Sequence, residues 1–393
     1  MFRITLSKIS FICLFSLVLF SCQKTVVSDP TKISGTIQNS DTSQIAQLVV
    51  TADLHYGITR VFRGNVADAS TVNKAMVQKI NTLPDEVFPS DGGVNAGKKI
   101  QFIDYVAING DITNRQQSGV QSATASWSQF NADYLNGITL KNKNNQNAGF
   151  LLTCGNHDVS NAIGYYKSLT PATDNTAMVN IYNLMLKPST PKTSTTYNYS
   201  TDKPNYSKDV VGVHLMFIAM WPDSANRVWM EKDLANVSST TPVLIFTHDP
   251  AAGEPTHFTN PLSDHGLTAN YEDELEETCK STLTLQREFS TFLKAHSNIK
   301  AYFHGHTNYN EFYTFTGYDG DLNLQVYRVD SPMKGAISGD DAPDARGDET
   351  QLSFQVIAIN GKSKTLTVRE CLWNVTGVTS KITWGLTSTV ALY

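Results

Sequence analysis

Short apolar runs rich in β-branched residues recur along the chain at residues 47–51, 102–108, 149–153, 211–220, 243–247 and 300–303. Each is bounded by polar or glycine-containing turns, the pattern of strands buried on both faces. Segments with helical spacing fall between them. In residues 71–83 the apolar positions are Val72, Ala75, Met76, Val77, Ile80 and Leu83, and in residues 225–237 they are Val228, Trp229, Leu234 and Val237. Residues 272–295 are charged first and amphipathic after. Strands alternating with helices predict an α/β protein. Beyond Glu311 only strand and turn patterns remain, and the runs 354–359 and 364–372 flank Asn360-Gly361, a strong hairpin signal. Three stretches, 57–99, 114–147 and 250–271, read as long irregular insertions. Loops of that length inside a domain are commonly functional or mobile.

Ahead of the first run, Arg3 and Lys8 make a basic start to an almost unbroken apolar segment, residues 9–20. That segment is shorter than the roughly 20 residues a membrane-spanning helix needs and fits the apolar part of a secretory signal. It ends at Leu19-Phe20-Ser21-Cys22, which resembles the bacterial lipobox, in which a cysteine after a small residue is acylated on cleavage. The expected organisation is a lipoprotein-type signal peptide over residues 1–22 with Cys22 as the lipid-anchored residue, a Ser/Thr-rich flexible tether over 23–43, and one folded domain over 44–393. The protein would be exported and held on the bacterial membrane, periplasmic or surface-facing. An ordinary cleaved signal with an incidental cysteine is the other reading.

A net charge of −5 gives no electrostatic footprint for nucleic acid. Export permits disulfides, and Cys279 and Cys371 are available to pair, with Cys154 left over as a small buried residue. No CxxC spacing occurs, which excludes a cysteine-rich zinc site. Arg346-Gly347-Asp348 spells an adhesion-type tripeptide, but its acidic surroundings predict a solvated turn.

The chemistry lies in where the metal-capable residues fall. Asp53-Leu54-His55 follows the first run, Gly110-Asp111 the second, Gly155-Asn156-His157-Asp158 the third, His248 the run 243–247, and His304-Gly305-His306 the run 300–303. Five of the nine histidines lie in these motifs. In open α/β sheets the loops leaving the carboxyl ends of strands converge on the ligand site. A lone Asp-x-His or Gly-Asp after a strand is ordinarily a turn; all five in series at strand ends point to a metal centre. Imidazole, carboxylate and amide oxygen together suit Mn, Fe, Zn or Ni rather than a thiolate-bound ion.

The set resembles the calcineurin-like metallophosphoesterase superfamily, whose motifs run D-x-H, G-D, G-N-H-[D/E], H, and G-H-x-H or H-G-H. The resemblance implies a four-layer α/β/β/α sandwich carrying two divalent metal ions. Carried over by motif, Asp53, His55, Asp111 and His306 would hold one metal, and Asp111, Asn156, His248 and His304 the other, with Asp111 bridging. A metal-bridging hydroxide would attack phosphorus in a phosphate-ester substrate, with His157, beside a ligand but not itself one, as general acid to the leaving oxygen. The residue three beyond Asp111 is a tyrosine in purple acid phosphatases and an aspartate in Ser/Thr protein phosphatases. Here it is Asn114, expected to support His157, followed by Arg115, expected to grip the phosphate or else to be an exposed loop residue. Phosphodiesters are slightly favoured over monoesters, because the Gly-Asn-His-Asp form is common in bacterial phosphodiesterases. A nucleotidase is a less suitable reading, since the stretch after His306 is short for the separate C-terminal domain those enzymes usually carry. The alternative from another class is a non-catalytic lipoprotein that binds a phosphorylated ligand.

The remaining polar residues have plainer readings. His214 within a strand and His296 near a helix end are expected to be structural, and Asp158 to cap the turn after its motif. His257 and His265 lie in the long loop after His248, and aromatic residues such as Tyr56, Phe62, Trp127 and Tyr165 are equally suited to lining a substrate mouth or covering the core.

Overall fold

The apolar runs become strands of two six-stranded sheets. In the first, β1 (Ile45–Thr51) lies beside β4 (Tyr105–Asn109), which lies beside β5 (Gly149–Thr153), all parallel. The C-terminal strands β12 (Ser353–Asn360), β13 (Thr365–Leu372) and β14 (Thr383–Ala391) extend that sheet antiparallel from the free side of β1. In the second sheet β7 (Val213–Phe217), β8 (Val243–Phe246), β9 (Ile299–His304) and β11 (Leu324–Arg328) run parallel, with β6 (Tyr206–Val210) and β10 (Glu311–Phe315) antiparallel at the two edges. A small hairpin of β2 (Thr59–Phe62) and β3 (Asn65–Asp68) stands apart. This computed structural model describes residues 42–114, 121–159, 174–199, 201–253, 279–335, 342–376 and 381–393, all in the unit Ile37–Tyr393.

Three layers of apolar contact stack these elements. Alternate residues of β1 divide between them: Ala46, Leu48 and Val50 face the second sheet, while Ile45 and Val49 face helices. That division is why β1 reads as a continuous apolar run rather than an alternating one. Between the sheets, Leu48, Val50, Ile357 and Val368 meet Leu215, Phe217, Phe246 and Phe303. The inner face of the second sheet carries a ladder of stacked rings, Tyr206, Phe217, Phe246, Phe303 and Tyr327, with successive centroids 4.8, 4.8, 4.6 and 4.9 Å apart. That is the spacing of neighbouring strands, so strand pairing and ring stacking enforce the same register. The short α3 (Asn156–Val159) follows β5, and helices α1 (Ala69–Thr82), α2 (Ala123–Phe130) and α4 (Thr176–Leu186) cover the outer face of the first sheet through Met76, Ile80, Phe130, Met178 and Ile181. Helices α5 (Ser224–Leu234) and α6 (Cys279–Ala295) cover the second through Met230, Leu234, Phe289 and Leu293. The architecture is the four-layer α/β/β/α sandwich.

Several local expectations change. The run 211–220 is not one strand: Val211 (φ 45°) and Gly212 (φ 77°) form a tight turn between β6 and β7. A β-branched residue at positive φ is outside ordinary turn chemistry, so the turn gave no sequence signal. The stretches 57–99 and 114–147 are not irregular throughout: besides α1, expected from the spacing over 71–83, they contain β2, β3 and α2. In α5 the buried residues are Asn226, Arg227, Met230 and Leu234, while Val228 is exposed. Cys371 is a free, buried thiol, so the Cys279–Cys371 bridge is not formed. Arg346 is not in a solvated turn; it is only 6% exposed and its Nε donates to the Thr59 carbonyl at 2.6 Å.

His214 is clamped between Asp209 at Nδ1 and Asp233 at Nε2, both at 2.7 Å. Burial opposes its charged form, but the two carboxylates raise its pKa. It ties β6 and β7 to α5. His296 meets Glu231 at 3.0 Å. Cys22, Arg115, Tyr165, His257 and His265 lie outside the described residues.

Candidate metal centre

The parallel strands of both sheets end at one edge, and the five motifs meet there. Pairing between β1 and β4 continues past the strands: Asp53 N–H donates to Gly110 O, His55 N–H to Asp111 O, and Tyr56 N–H to Ile112 O, at 3.0, 3.0 and 3.1 Å. The second sheet contributes through Gly305 N–H to His248 O at 3.0 Å, which joins the His248 loop to the His304–His306 loop. Asp53, His55, Asp111 and His306 all have positive φ, between 41° and 70°. Left-handed backbone is costly for a histidine, and such conformations collect at functional sites where the surroundings over-determine them.

Each carboxylate divides its two oxygens between backbone and centre. Asp111 Oδ1 accepts the His157 N–H at 2.8 Å, while Oδ2 faces His248 Nε2 at 3.3 Å, His55 Nε2 at 3.7 Å and His157 Nε2 at 3.9 Å. Asp53 Oδ2 accepts the His306 N–H at 2.9 Å, while Oδ1 faces His55 Nε2 at 3.6 Å. Among the described residues two groups, His55–Asp111–His157 and Asp111–His248–His306, each bring their ligand atoms within 4.8 Å of one another, and Asp111 belongs to both. The rings of His55 and His157 meet edge to face at 4.8 Å, and those of His248 and His306 at 5.2 Å.

The outer nitrogens of the imidazoles are fixed by hydrogen bonds, as ligating histidines require. His55 Nδ1–H donates to Asn114 Oδ1 at 3.2 Å, which turns Nε2 toward the carboxylates. The contact seen for Asn114 is therefore to His55, where the sequence suggested support of His157. His248 Nδ1–H donates to the Asn109 carbonyl at 2.8 Å, and its Nε2 lies 3.1 Å from Asn156 Oδ1. His304 differs. Its Nδ1 donates to the Gly305 carbonyl at 2.9 Å, so its Nε2 accepts from the Tyr313 hydroxyl at 3.0 Å. It is buried at the end of β9 but belongs to neither close group.

Asp158 does more than cap a turn. Its carboxylate accepts from Gly155 N–H at 3.0 Å on its own loop, and from Ile112 and Thr113 N–H at 3.2 and 2.9 Å on the Asp111 loop. It thereby staples two motif-bearing loops together. Burial, with Asp111 nearby, raises its pKa to about 6. The loops are so close that a Cβ on Gly155 would lie 2.3 Å from Asp111 Oδ1. Nothing larger than glycine fits there without moving the shared carboxylate. The Asp53–Tyr56 loop is pinned from other sides: Asn73 donates to Leu54 O at 3.0 Å, and Ser331 Oγ to Asp53 O at 2.7 Å. No local pattern marks Asn73, Tyr313 or Ser331, since each acts through a partner far away in sequence.

Burial is the largest influence on the charges of the cluster. Burial, reinforced by Asp111, raises the Asp53 pKa to about 7, against an opposing pull from His248. Burial would raise Asp111 as well, but His248, His157 and His55 hold it well below the usual carboxylate range. Burial opposes the imidazolium of His248, yet Asp111 and Asp53 push its pKa up to about 10. In the protein alone a proton on His248 thus balances Asp111. A divalent cation would replace it, since ligation needs the neutral imidazole. The residues fit such ions: Asp53 Oδ1 and His55 Nε2 are buried, face the cluster and have no hydrogen-bond partner. Orphaned buried polar atoms of this kind are rare and call for an explanation, and their donor types match those of a borderline metal.

Comparison with known proteins addresses the family of the chain. The family model of calcineurin-like phosphoesterases matches residues 46–309, well over half of the chain. No curated protein sequence matches. Among solved structures, a Streptococcus pneumoniae protein described as a predicted phosphoesterase is 7% identical, with 87% of this chain and 97% of that one covered and a TM-score of 0.31. A Staphylococcus aureus protein assigned as a 5′-nucleotidase is 10% identical with a TM-score of 0.38; 80% of this chain is covered, and it spans about half (51%) of that one. Phosphopantetheinyl hydrolase of Mycobacterium tuberculosis is 11% identical, with 74% and 91% covered and a TM-score of 0.31. With its motif residues gathered at one sheet edge and the family model running through all of them, this chain belongs to the calcineurin-like phosphoesterase family.

Proposed function

We propose that this protein hydrolyses phosphate esters with two divalent metal ions, phosphodiesters somewhat in preference to monoesters. The observation that carries the reading is Asp111, shared by two groups of imidazoles, all buried but the half-buried His306, beside Asp53 and His55 atoms that lack hydrogen-bond partners. Asp53, His55, Asp111 and His306 would hold one ion, and Asp111, Asn156 and His248 the other, with His304 completing the second set if its ring leaves Gly305 and Tyr313. When bound, the ions supply Lewis-acid stabilisation of phosphoryl charge and lower the pKa of the attacking water.

The chain's own residues supply position and a proton. As the water oxygen bonds to phosphorus and the ester P–O bond breaks, the departing oxygen needs a proton, and this reading assigns its delivery to His157. The residue is nearly buried, at 5% exposure, and its backbone is held by Thr113 Oγ donating to the His157 carbonyl at 3.1 Å. The distance from His157 Nε2 to Asp111 Oδ2 also permits a ligand role, and the leaving-group experiment in the Discussion separates the two.

Turnover of p-nitrophenyl phosphate and bis-p-nitrophenyl phosphate should vanish on chelation and return with Mn²⁺, Zn²⁺, Fe²⁺ or Ni²⁺, the diester being the faster. Folded, metal-loaded protein that binds inorganic phosphate but turns over neither ester would show a phosphate-binding protein instead.

We further propose that Cys22 carries an acyl anchor that holds the enzyme on the outer side of the bacterial membrane, from the sequence Leu19-Phe20-Ser21-Cys22. Mass spectrometry of the mature protein should find acylated Cys22 at its N-terminus; an unmodified Cys22 would make it an ordinary exported protein.

A further inference from the structure

The turn Asp53-Leu54-His55 carries two ligand residues in left-handed backbone, with φ 56° at Asp53 and 41° at His55. Neither is a glycine, so the conformation persists only where the surroundings hold it. The N–H groups of Asp53, His55 and Tyr56 are held by the loop after β4. Two of the turn's carbonyls are held by side chains from distant parts of the chain. Asp53 O accepts from Ser331 Oγ at 2.7 Å, on the loop after β11, and Leu54 O accepts from Asn73 Nδ2 at 3.0 Å, on α1. Both side chains are fully buried. One reaches the turn from the second sheet, the other from the helices outside the first.

Each of the two is itself fixed. The Ser331 hydroxyl accepts the N–H groups of Met333 and Lys334 at 3.1 and 2.9 Å. Asn73 Nδ2 also donates to Ala69 O at 2.9 Å, so its amide nitrogen faces two carbonyls and its Oδ1 accepts from the Tyr134 hydroxyl at 3.0 Å. Tyr134 lies in a π-helical turn, Asn131–Leu135, that continues α2, with Asn136 N–H donating to Asn131 O at 3.0 Å. The neighbouring Asp133 accepts from the Tyr56 hydroxyl at 3.1 Å and the Ser70 hydroxyl at 2.6 Å. One π turn thus sends two consecutive side chains toward the same metal-bearing segment, Tyr134 through Asn73 to Leu54 and Asp133 directly to Tyr56. Single π turns within helices collect at functional sites. Apolar side chains would join these layers at less cost in desolvation, whereas hydrogen bonds give direction to the backbone they hold.

We propose that Asn73 and Ser331 are positioning residues for the ion held by Asp53 and His55, and that their hydrogen bonds to Leu54 O and Asp53 O set the affinity of that ion. This rests on the two-ion reading above. Asp53 and His55 flank Leu54, so a rotation of the Leu54 peptides moves both ligands at once, and ligand constellations need placement within about 0.5 Å. His248 and Asn156, assigned to the other ion, stand on other loops, after β8 and β5.

The test uses full-length protein loaded with Mn²⁺ and titrated with a competing chelator, so that the release of each ion is read without any ester. His55→Gln, a change to a ligand itself, identifies the release step of its ion. Ser331→Ala should shift that step to about ten- to a hundredfold lower chelator, the range for residues behind the ligands, with the other step close to wild type. Ser331→Thr, which keeps the hydroxyl, should restore most of the affinity. Asn73→Ala should weaken the same ion, and Tyr134→Phe should do so by a smaller factor, since it removes only the hydroxyl that orients Asn73. A purely structural role would lower the unfolding temperature without separating the two ions. Unchanged release in these variants would overturn the proposal, as would equal weakening of both ions or a Ser331→Thr protein no better than Ser331→Ala. If the alanine variants do not fold, Tyr134→Phe decides alone, and wild-type release from it would overturn the proposal. A wild type that holds two ions and hydrolyses nothing would refute the enzymatic reading and leave this comparison intact.

Discussion

Asp111→Asn and Asp111→Ala proteins are expected to lose most of both metals, where the wild type holds about two per chain. Asp111 is the one side chain common to both close groups of ligand atoms, and its Oδ2 faces three imidazoles between 3.3 and 3.9 Å away. Its removal should cost more than the ~10–100-fold in affinity typical of changes behind the ligands. The asparagine variant is the cleaner of the two. Its amide oxygen can still accept the His157 N–H now held by Oδ1, so the loop carrying Asn156 and His157 keeps its anchor. Alanine removes that acceptor and strands a buried N–H, at a cost of about 1–3 kcal/mol in stability. Metal content by plasma mass spectrometry after dialysis against a weak chelator reads the effect, with thermal unfolding as the control for folding. A wild type holding one tight ion that both variants retain would show that the second group of residues is not a metal site.

The parts of this site legible in the sequence are those whose signal is local. An apolar run followed at once by Asp-x-His or Gly-Asn-His is read within ten residues, and the runs at 47–51, 149–153 and 243–247 recur nearly unchanged as β1, β5 and β8. Periodicity also found every buried apolar residue it named on α1. What escaped is chemistry between distant segments. Asn114 could be placed near a histidine by motif, but only the fold shows its Oδ1 accepting a hydrogen bond from His55 Nδ1–H. Asp158 looked like a turn cap because its neighbours in sequence are turn residues, whereas two of its backbone partners lie on the Asp111 loop. Arg346 was misjudged for a related reason. An acidic stretch predicts solvation, yet the arginine turns inward to a carbonyl on β2, on a segment nearly three hundred residues earlier. His304 carries the converse lesson: motif position assigns it to the second metal, but the ring nitrogens are held by Gly305 and Tyr313. Ligation there would need those two hydrogen bonds to yield.

His157→Ala is expected to keep both metals and to lower the hydrolytic rate by ~10²–10⁴, the usual scale for a lost general acid. The substitution leaves two backbone contacts at this position in place, because neither involves the imidazole. The His157 N–H still reaches Asp111 Oδ1 and the His157 carbonyl still accepts from Thr113 Oγ. The substitution deletes a ring that packs edge to face on His55, with Nε2 3.9 Å from Asp111 Oδ2. If that ring gives a proton to the departing oxygen, the loss must depend on how much the oxygen needs one. An alkoxide leaving group is strongly basic and should show the full deficit. Nitrophenolate is stable as an anion and should show much less of it. Rates would be compared across alkyl and aryl phosphate esters at saturating metal, in wild type and variant. A deficit equal on every ester would mean that His157 holds the phosphate in place rather than protonating anything. A variant short of one metal would mean that the group His55–Asp111–His157 is a true ligand set, and that the proton comes from elsewhere.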